Sequence, residues 1–531
     1  MNDANEGREG QGPSCVPWGP CAWMVRWDRD ADGAVGWMER RLAEDPPEGL
    51  EEWVAGFSSV LVKFRGRAPA EDGLRAWMGS MSGSWPTLAT GKVVEVPVRY
   101  DGPDLEEVAR RTGLGVDEVV RRHMGGDYRV RCLGFSPGFA YLSGLDPALH
   151  VPRRDTPRER VRVGSVAIGG EHAGVYTVPS PGGWHVLGTT RRRLFDPGAA
   201  RLADRFVLAT GDRLRFVASQ DAGEEGFDGT RWVAPSSPWL RVRSMGAAFG
   251  VQDDGRPGWS RFGVPVGGSL DRVAAHWANR LLGNEDGAPV LEMAGGGQVF
   301  EVLLHLTVSV TGADAQGFVQ SPDGSSRSLR AWATTSLGPG DVVTFRGPRQ
   351  GTWTYLGLAG GVAAPVVMGS ASVNRRAGLG AAPCSGETLS GRSGDALVGG
   401  GTASRWVNPA RLPARGPGSV RVWPGPQSAW LDAEGLRALF RQPWRVGLRS
   451  DRVGYRMEGE PVRMAPRRLE SEPVMPGTIQ LPPDGQPIVT MPDGPTVGGY
   501  PKVGWVDPRD MTRLVQAGLG RMVEWVPVGW D

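Results

Sequence analysis

Between Pro476 and Lys502 the chain reads PGTIQLPPDGQPIVTMPDGPTVGGYPK, gathering the amides of Gln480 and Gln486, a Gly498-Gly499-Tyr500 turn and the amine of Lys502. Lys502 is one of three lysines, with Lys63 and Lys92; the other 57 basic residues are arginine. An ammonium is a compact point donor whose pKa falls on burial, which a guanidinium does not imitate. Lys502 is therefore either a site residue or a survivor at a strand end. PRRDTPR places Arg153, Arg154 and Arg158 in one turn-rich loop, dense enough to clamp a carboxylate or phosphate, or else simply solvated. PGGWHVLG sets Trp184 and His185 behind two glycines; His185 is an acid/base candidate at neutral pH or an ordinary strand histidine. Asp271 complements a helix dipole or orients an amide, and Asn279 and Glu292 serve either core hydrogen bonding or a ligand.

Several chemistries are excluded. GFSPG at residues 134–138 has the Gly-x-Ser-x-Gly form of a nucleophile elbow, which takes an oxyanion donor from the N–H after the serine. Here that residue is Pro137, which has no N–H, so a tight pocket-lining loop is expected instead. Lys92 and Lys502 both precede valine, so no Gly-x4-Gly-Lys-Ser/Thr loop exists. Six scattered histidines lack a His-Glu-x-x-His pair, and no metal site is expected. Cys15, Cys21, Cys132 and Cys384 form no CxxC pair and read as reduced thiols. No Ala-Met-Lys-Met stretch is present, so the chain carries no biotin of its own.

The elements that must position these groups are short. Eighty glycines and 44 prolines in 531 residues favour turns and strands over long helices. A net charge of +2 implies no nucleic-acid partner. No window approaches 18 uninterrupted apolar residues and the N-terminus lacks an apolar core, so a cytoplasmic chain without membrane segment or secretory signal is expected. The reading is mainly β with an α+β N-terminal part: a disordered tail at 1–20, a small α+β domain at 21–92, a barrel at 93–217, a linker at 218–238, and a second half at 239–531. Helices are expected at 34–43, after Asp104, after Gly115 with His123 as a cation at its end, from an N-cap at Ser269 to Gly283 with Val273 and Trp277 in its apolar stripe, and from Asp507-Pro508 to Gly518.

Two stretches repeat. GSVAI followed by GVYTVPSPGGWHVLG (residues 164–188) parallels GTIQL followed by PIVTMPDGPTVGGYPKVG (residues 477–504), and Asp-Pro follows each. The shared order of several elements points to two related barrels, whose junction would be a usual place for a site.

GFSPGFAYLSGL, PRRDTPR, GSVAIGG and SPGGWHVLG resemble the KipI family, also called the B-type subunit of 5-oxoprolinase or allophanate hydrolase subunit 1. QDDGRPG, GVPVGGSLD, ANRLLGN, TGAD, LAGG, SDRVGYRMEG, PGTIQLPPDGQPI and TVGGYPK resemble the KipA family, the C-type subunit of 5-oxoprolinase or allophanate hydrolase subunit 2. The resemblance runs from about residue 50 to 527, in the order of a KipI–KipA fusion. It implies cyclophilin-like β-barrels in both halves and likeness to the carboxyltransferase part of urea carboxylase. It also implies ATP-dependent opening of 5-oxoproline to glutamate with a separate A-type subunit, ATP being shared with that partner; the chain is compatible with a homo-oligomer. The alternatives are a urea-type carboxyltransferase or a non-catalytic inhibitor of a histidine kinase. For an amide substrate, Lys502, Gln480 and Gln486 would polarise a carbonyl and Tyr500 would donate to developing charge, one good donor contributing on the order of 3–4 kcal/mol. Asp271 and His185 complete the expected catalytic set; Arg153, Arg154, Asn279, Glu292, Trp184, Gly498 and Gly499 complete the binding set. Two departures stand out: Gly369-Ser370-Ala371-Ser372 lacks the family's arginine, and the family's Gly-Ala-Met-Asp is Gly268-Ser269-Leu270-Asp271 here, which keeps the aspartate.

Overall fold

The computed structural model describes residues 13–27, 33–79, 91–221, 229–392, 404–413, 415–465, 467 and 469–530. The N-terminal unit is an antiparallel four-stranded sheet in the order Ser14–Trp18, Ala22–Arg26, Ser59–Phe64, Leu50–Ala55, with helices Ala34–Glu44 and Glu71–Met78. The expected tail at 1–20 thus ends earlier, because Ser14–Trp18 pairs residue for residue with Ala22–Arg26 and Trp18 is fully buried. Residues 1–12 lie outside the described part.

Val93–Val98 alternates as a strand with one buried face, Val94, Val96 and Val98 pointing into the core. It heads a seven-stranded sheet, read from the far edge as His185–Thr189, Ser165–Gly169, His172–Val175, Ala140–Ser143, Tyr128–Leu133, Arg213–Ala218 and Val93–Val98. Only the last pair is parallel, and a bridge between Arg99 and Thr189 joins the two edges into a barrel. Helices Leu105–Thr112 and Val116–Met124 cover it, separated by Gly113 in the left-handed conformation. His123 does end the second helix, yet as a neutral core residue: it packs at a tilt against Phe216, its Nδ1 meets the Tyr100 hydroxyl at 2.8 Å, and burial pushes its pKa down to about 3. Strand Arg213–Ala218 runs past the expected domain end at 217.

The second half opens with two facing sheets. One orders Ser326–Ser328, Gly317–Gln320, Val342–Phe345, Gln298–Val302, Leu240–Met245 and Thr388–Leu389; the other orders Ala248–Gln252, Val290–Ala294, Trp353–Gly357, Leu306–Gly312 and Ala333–Leu337. Their apolar faces share a core that includes Phe249, Phe300 and Phe345. Helix Arg272–Leu282 packs on the second sheet and stops at left-handed Gly283. Its cap is Asp271, not Ser269, because the Asp271 carboxylate accepts from Ala274 N at 2.9 Å. Its buried face is Ala274, Ala275, Ala278 and Leu281, with Val273 and Trp277 only half-buried. The last expected helix is broken into a 3-10 turn at Pro508–Asp510, capped by Asp507, and a helix at Met511–Val515.

The C-terminal strands close a barrel in the order Ser419–Pro424, Lys502–Val506, Thr478–Gln480, Ile488–Thr490, Gly454–Glu458, Pro443–Val446, Met522–Pro527. This is the topology of the first barrel strand for strand, including a single parallel pair, here Ser419–Pro424 with Met522–Pro527. The register agrees as well. Val186 faces Ala167 and Gly188 faces Val166; Lys502 faces Gln480 and Gly504 faces Ile479, so each strand bulges by one residue at the same place. Gly188 and Gly504 let the neighbouring strand approach: a Cβ would sit 2.4 Å from the Arg99 carbonyl in one barrel and 2.8 Å from Val422 in the other. The repeat seen in the sequence is therefore a duplicated barrel, and Lys502 occupies the place that Val186 holds in its twin.

Candidate functional site

Lys502 sits where the N-terminal sheet meets the C-terminal barrel. Its strand bulges beside Gln480, and Gln427 holds its backbone from both sides, accepting from Lys502 N at 2.9 Å and donating to Lys502 O at 3.0 Å. The Lys502 side chain is 0% exposed; Nζ donates to the Gly498 carbonyl at 2.9 Å and lies 3.6 Å from Glu472. Glu472 in turn receives a bidentate pair from Arg26 of the N-terminal sheet at 2.8 and 3.0 Å, and Gln427 Nε2 at 2.6 Å. Burial lowers the Lys502 pKa to about 8, Arg26 adding to the effect and Glu472 opposing it.

The structure brings Lys502, Gln480 and Gly498 together and leaves the rest of that group apart. Gln480 donates to Thr490 Oγ1 at 2.9 Å. Gln486 ties its turn to the end of strand Gly454–Glu458, donating to Gly459 O and accepting from Gly459 N, because a side-chain amide there mimics a backbone pair. Tyr500 is 46% exposed and Gly499 is also exposed. Two cavities of about 1030 and 600 Å³ are described, and Lys502 lines neither.

Other expected site residues hold the fold. Arg154 and Arg158 do clamp a carboxylate, but it is Asp104 of the same barrel: Arg154 Nη1 at 2.8 Å, Arg158 at 2.7 and 2.8 Å, with Val186 N on the same group at 2.7 Å. Arg153 is exposed. His185 is sealed, its Nε2 donating to Pro152 O at 3.0 Å, and Trp184 packs among Phe139 and Tyr141. The Asp271 carboxylate is engaged by Ala274 N, Arg415 and Gln516, and so staples the two-sheet unit to the C-terminal barrel. Asn279 donates from its helix to Asp286 O and Ala288 O of the loop that follows. The 134–138 loop buries Ser136 against the second half, Gly138 N donating to Phe262 O at 2.8 Å, and lines neither large cavity.

Glu292 is the exception. It lines the cleft of about 1030 Å³ between the two-sheet unit and the C-terminal barrel. Its carboxylate accepts from Leu270 N and the Tyr355 hydroxyl at 2.8 Å each and pairs with Arg452. Arg452 also reaches Asp493 at 2.8 Å and Gly268 O at 2.7 Å, so one guanidinium ties three segments of the cleft wall. Burial pushes the Glu292 carboxyl up and Arg452 draws it partly back. Beside them lie Asn374, which is buried, and Arg375, which is exposed. Arg452, Asp493 and Asn374 were not singled out from sequence: Arg452 was visible only inside SDRVGYRMEG, one of 57 arginines, whereas Lys502 was conspicuous by rarity.

A two-barrel chain with a buried Arg–carboxylate cleft is matched by known proteins along nearly its whole length. Carboxyltransferase domain subdomains A and B match residues 262–527, subdomains C and D match residues 13–203, and the chain belongs to this family. The second half is 32% identical over 292 residues to the C subunit of 5-oxoprolinase from Escherichia coli (strain K12), covering 54% of this chain and 90% of that protein. The first is 37% identical over 191 residues to the B subunit of 5-oxoprolinase from Escherichia coli O157:H7, covering 35% of this chain and 84% of that one. The crystal structure of TTHA0988 superposes with a TM-score of 0.81 at 33% identity, over 95% of this chain and 99% of that one. The chain thus joins a half like the B subunit and a half like the C subunit in one polypeptide. Among the described residues no helix is long and apolar enough to cross a membrane.

Proposed function

We propose that this chain is the fused B and C component of an ATP-dependent 5-oxoprolinase, opening the lactam of 5-oxo-L-proline to glutamate together with a separate A-type subunit. The observation that carries this reading is the joint coverage, by one chain, of 90% of a C-type and 84% of a B-type 5-oxoprolinase subunit. The substrate is a planar amide of poor reactivity: water must add to the ring carbonyl as the ring C–N bond breaks and the nitrogen takes a proton. The cleft beside Glu292 and Arg452 is where the lactam is held, since it is large, carries a few charged side chains on a mainly apolar wall and is built from both parts of the C-type half. Glu292 and Arg452 hold the wall in shape, and the lactam meets the groups beside them. Lys502, with Glu472 and Arg26, sets how the N-terminal sheet seats on the C-terminal barrel. ATP supplies the driving force and is shared with the A-type subunit; the arginine-bearing rim of the cleft fits an anion, although the chain has no Gly-x4-Gly-Lys loop.

The test is reconstitution. The purified chain alone releases little glutamate from 5-oxoproline and ATP, and the same chain with the cognate A-type subunit releases it in step with ADP. Absence of glutamate from the mixture overturns the reading. The family's carboxyltransferase description favours a second reading, transfer of a carboxyl group to an amide with biotin borne by another protein; incorporation of labelled bicarbonate into the amide would be its signature.

A further inference from the structure

Asn374 is 2% exposed and lines the cleft. Its side-chain oxygen accepts from Ala377 N at 3.0 Å, and its backbone pairs with Leu379 in both directions at 2.7 and 3.1 Å. Only oxygen can accept from that N–H, so the amide orientation is fixed and Nδ2 points away from the turn. Nδ2 has no acceptor among the described residues. A buried donor without a partner costs about 1–3 kcal/mol, so one kept against a cleft calls for an explanation.

The segment that carries it is held firmly. Asp253 accepts from Ser370 Oγ and Ala371 N at 2.6 Å each and from Ser372 Oγ, and Arg256 donates to Ser372 O. The next residue, Arg375, spends one N–H on Phe249 O at 3.0 Å and has no carboxylate partner among the described residues. Arg376, by contrast, is paired with Asp451. The cleft wall therefore carries two adjacent groups: a neutral donor of fixed orientation and, at the exposed edge, a guanidinium anchored on Phe249 O with N–H groups to spare.

We propose that Asn374 Nδ2 and Arg375 form the substrate-orienting pair of this cleft, Asn374 donating to an amide carbonyl and Arg375 pairing with a carboxylate of the same small molecule. This rests on the preceding reading only for the identity of that molecule, a lactam bearing a carboxylate. A neutral amide donor suits a carbonyl oxygen, and a guanidinium suits a carboxylate. Two such contacts on consecutive residues fix both ends of a five-membered ring.

The experiment measures binding of 5-oxo-L-proline and of 2-pyrrolidinone, which lacks the carboxylate, to the full chain with its A-type subunit. Asn374→Asp keeps the size and the oxygen that Ala377 N needs while removing the donor; it weakens both ligands at least tenfold. Arg375→Gln weakens 5-oxoproline at least tenfold and leaves 2-pyrrolidinone within twofold. Wild-type affinity in both variants, equal losses for the two ligands in Arg375→Gln, or no binding of either ligand to the wild-type complex overturns the assignment. Glutamate release separates it from the functional reading. Turnover by wild type with an unchanged KM in Asn374→Asp sinks the pair alone; binding that follows the predicted pattern without turnover sinks the oxoprolinase reading alone.

Discussion

At the scale of single residues, the buried amine of Lys502 has a measurable signature. The folded amine releases its proton near pH 8 and the unfolded one near 10.5. Between those values the unfolded state binds more protons, so stability rises with pH across that window; below 8 both states are protonated and the group contributes no slope. Lys502→Met leaves Glu472 with Arg26 and Gln427 and should fold. Urea unfolding at pH 8 and 10.5 should show wild type gaining about 3 kcal/mol more than the variant; parallel curves would show that the amine is not buried as described. Rarity made Lys502 legible in the sequence. Its environment was not, because Arg26 and Glu472 are separated by 446 positions and meet only in the folded chain.

At the scale of elements, local signals were read more surely than caps and partners. Alternation in Val93–Val98 and the glycine stops at Gly113 and Gly283 act within one turn or strand, and those elements formed where expected. Ser269 and Asp271 are both good caps, and only the position of Ala274 N decided between them. PRRDTPR carried the right chemistry with the wrong carboxylate: its arginines close on Asp104, which lies ahead of helix Leu105–Thr112. Asp104→Ala removes the acceptor of two guanidinium groups and of Val186 N, and should destabilise the first barrel by about 3 kcal/mol. A thermal melt of the variant tests this; a melting temperature unchanged from wild type would mean the cluster is solvated.

At the scale of the whole molecule, duplication and crossing contacts define the architecture. The repeat of residues 164–188 at 477–504 was legible because turn chemistry and strand order survive together, and the matching bulges at Leu187 and Val503 show that register survived too. The crossing contacts were not legible. The N-terminal sheet packs on the distant C-terminal barrel through Arg26–Glu472, Phe57 N to Ser471 O, and a shared core that includes Trp18 and Trp505. Chains split between residues 221 and 229 should therefore co-elute as a one-to-one complex, and Arg26→Ala should weaken it; independent elution of the wild-type halves would contradict the packing.

On the proposed function, the complex with the A-type subunit opens a lactam and transfers no carboxyl group. Carbon-13 NMR of the reconstituted mixture, supplied with ATP, ring-labelled 5-oxo-L-proline and carbon-13 bicarbonate, reads both outcomes at once. Labelled glutamate should accumulate while bicarbonate carbon stays out of every organic product. A carboxylated amide carrying that carbon, with the lactam ring intact, would contradict the account.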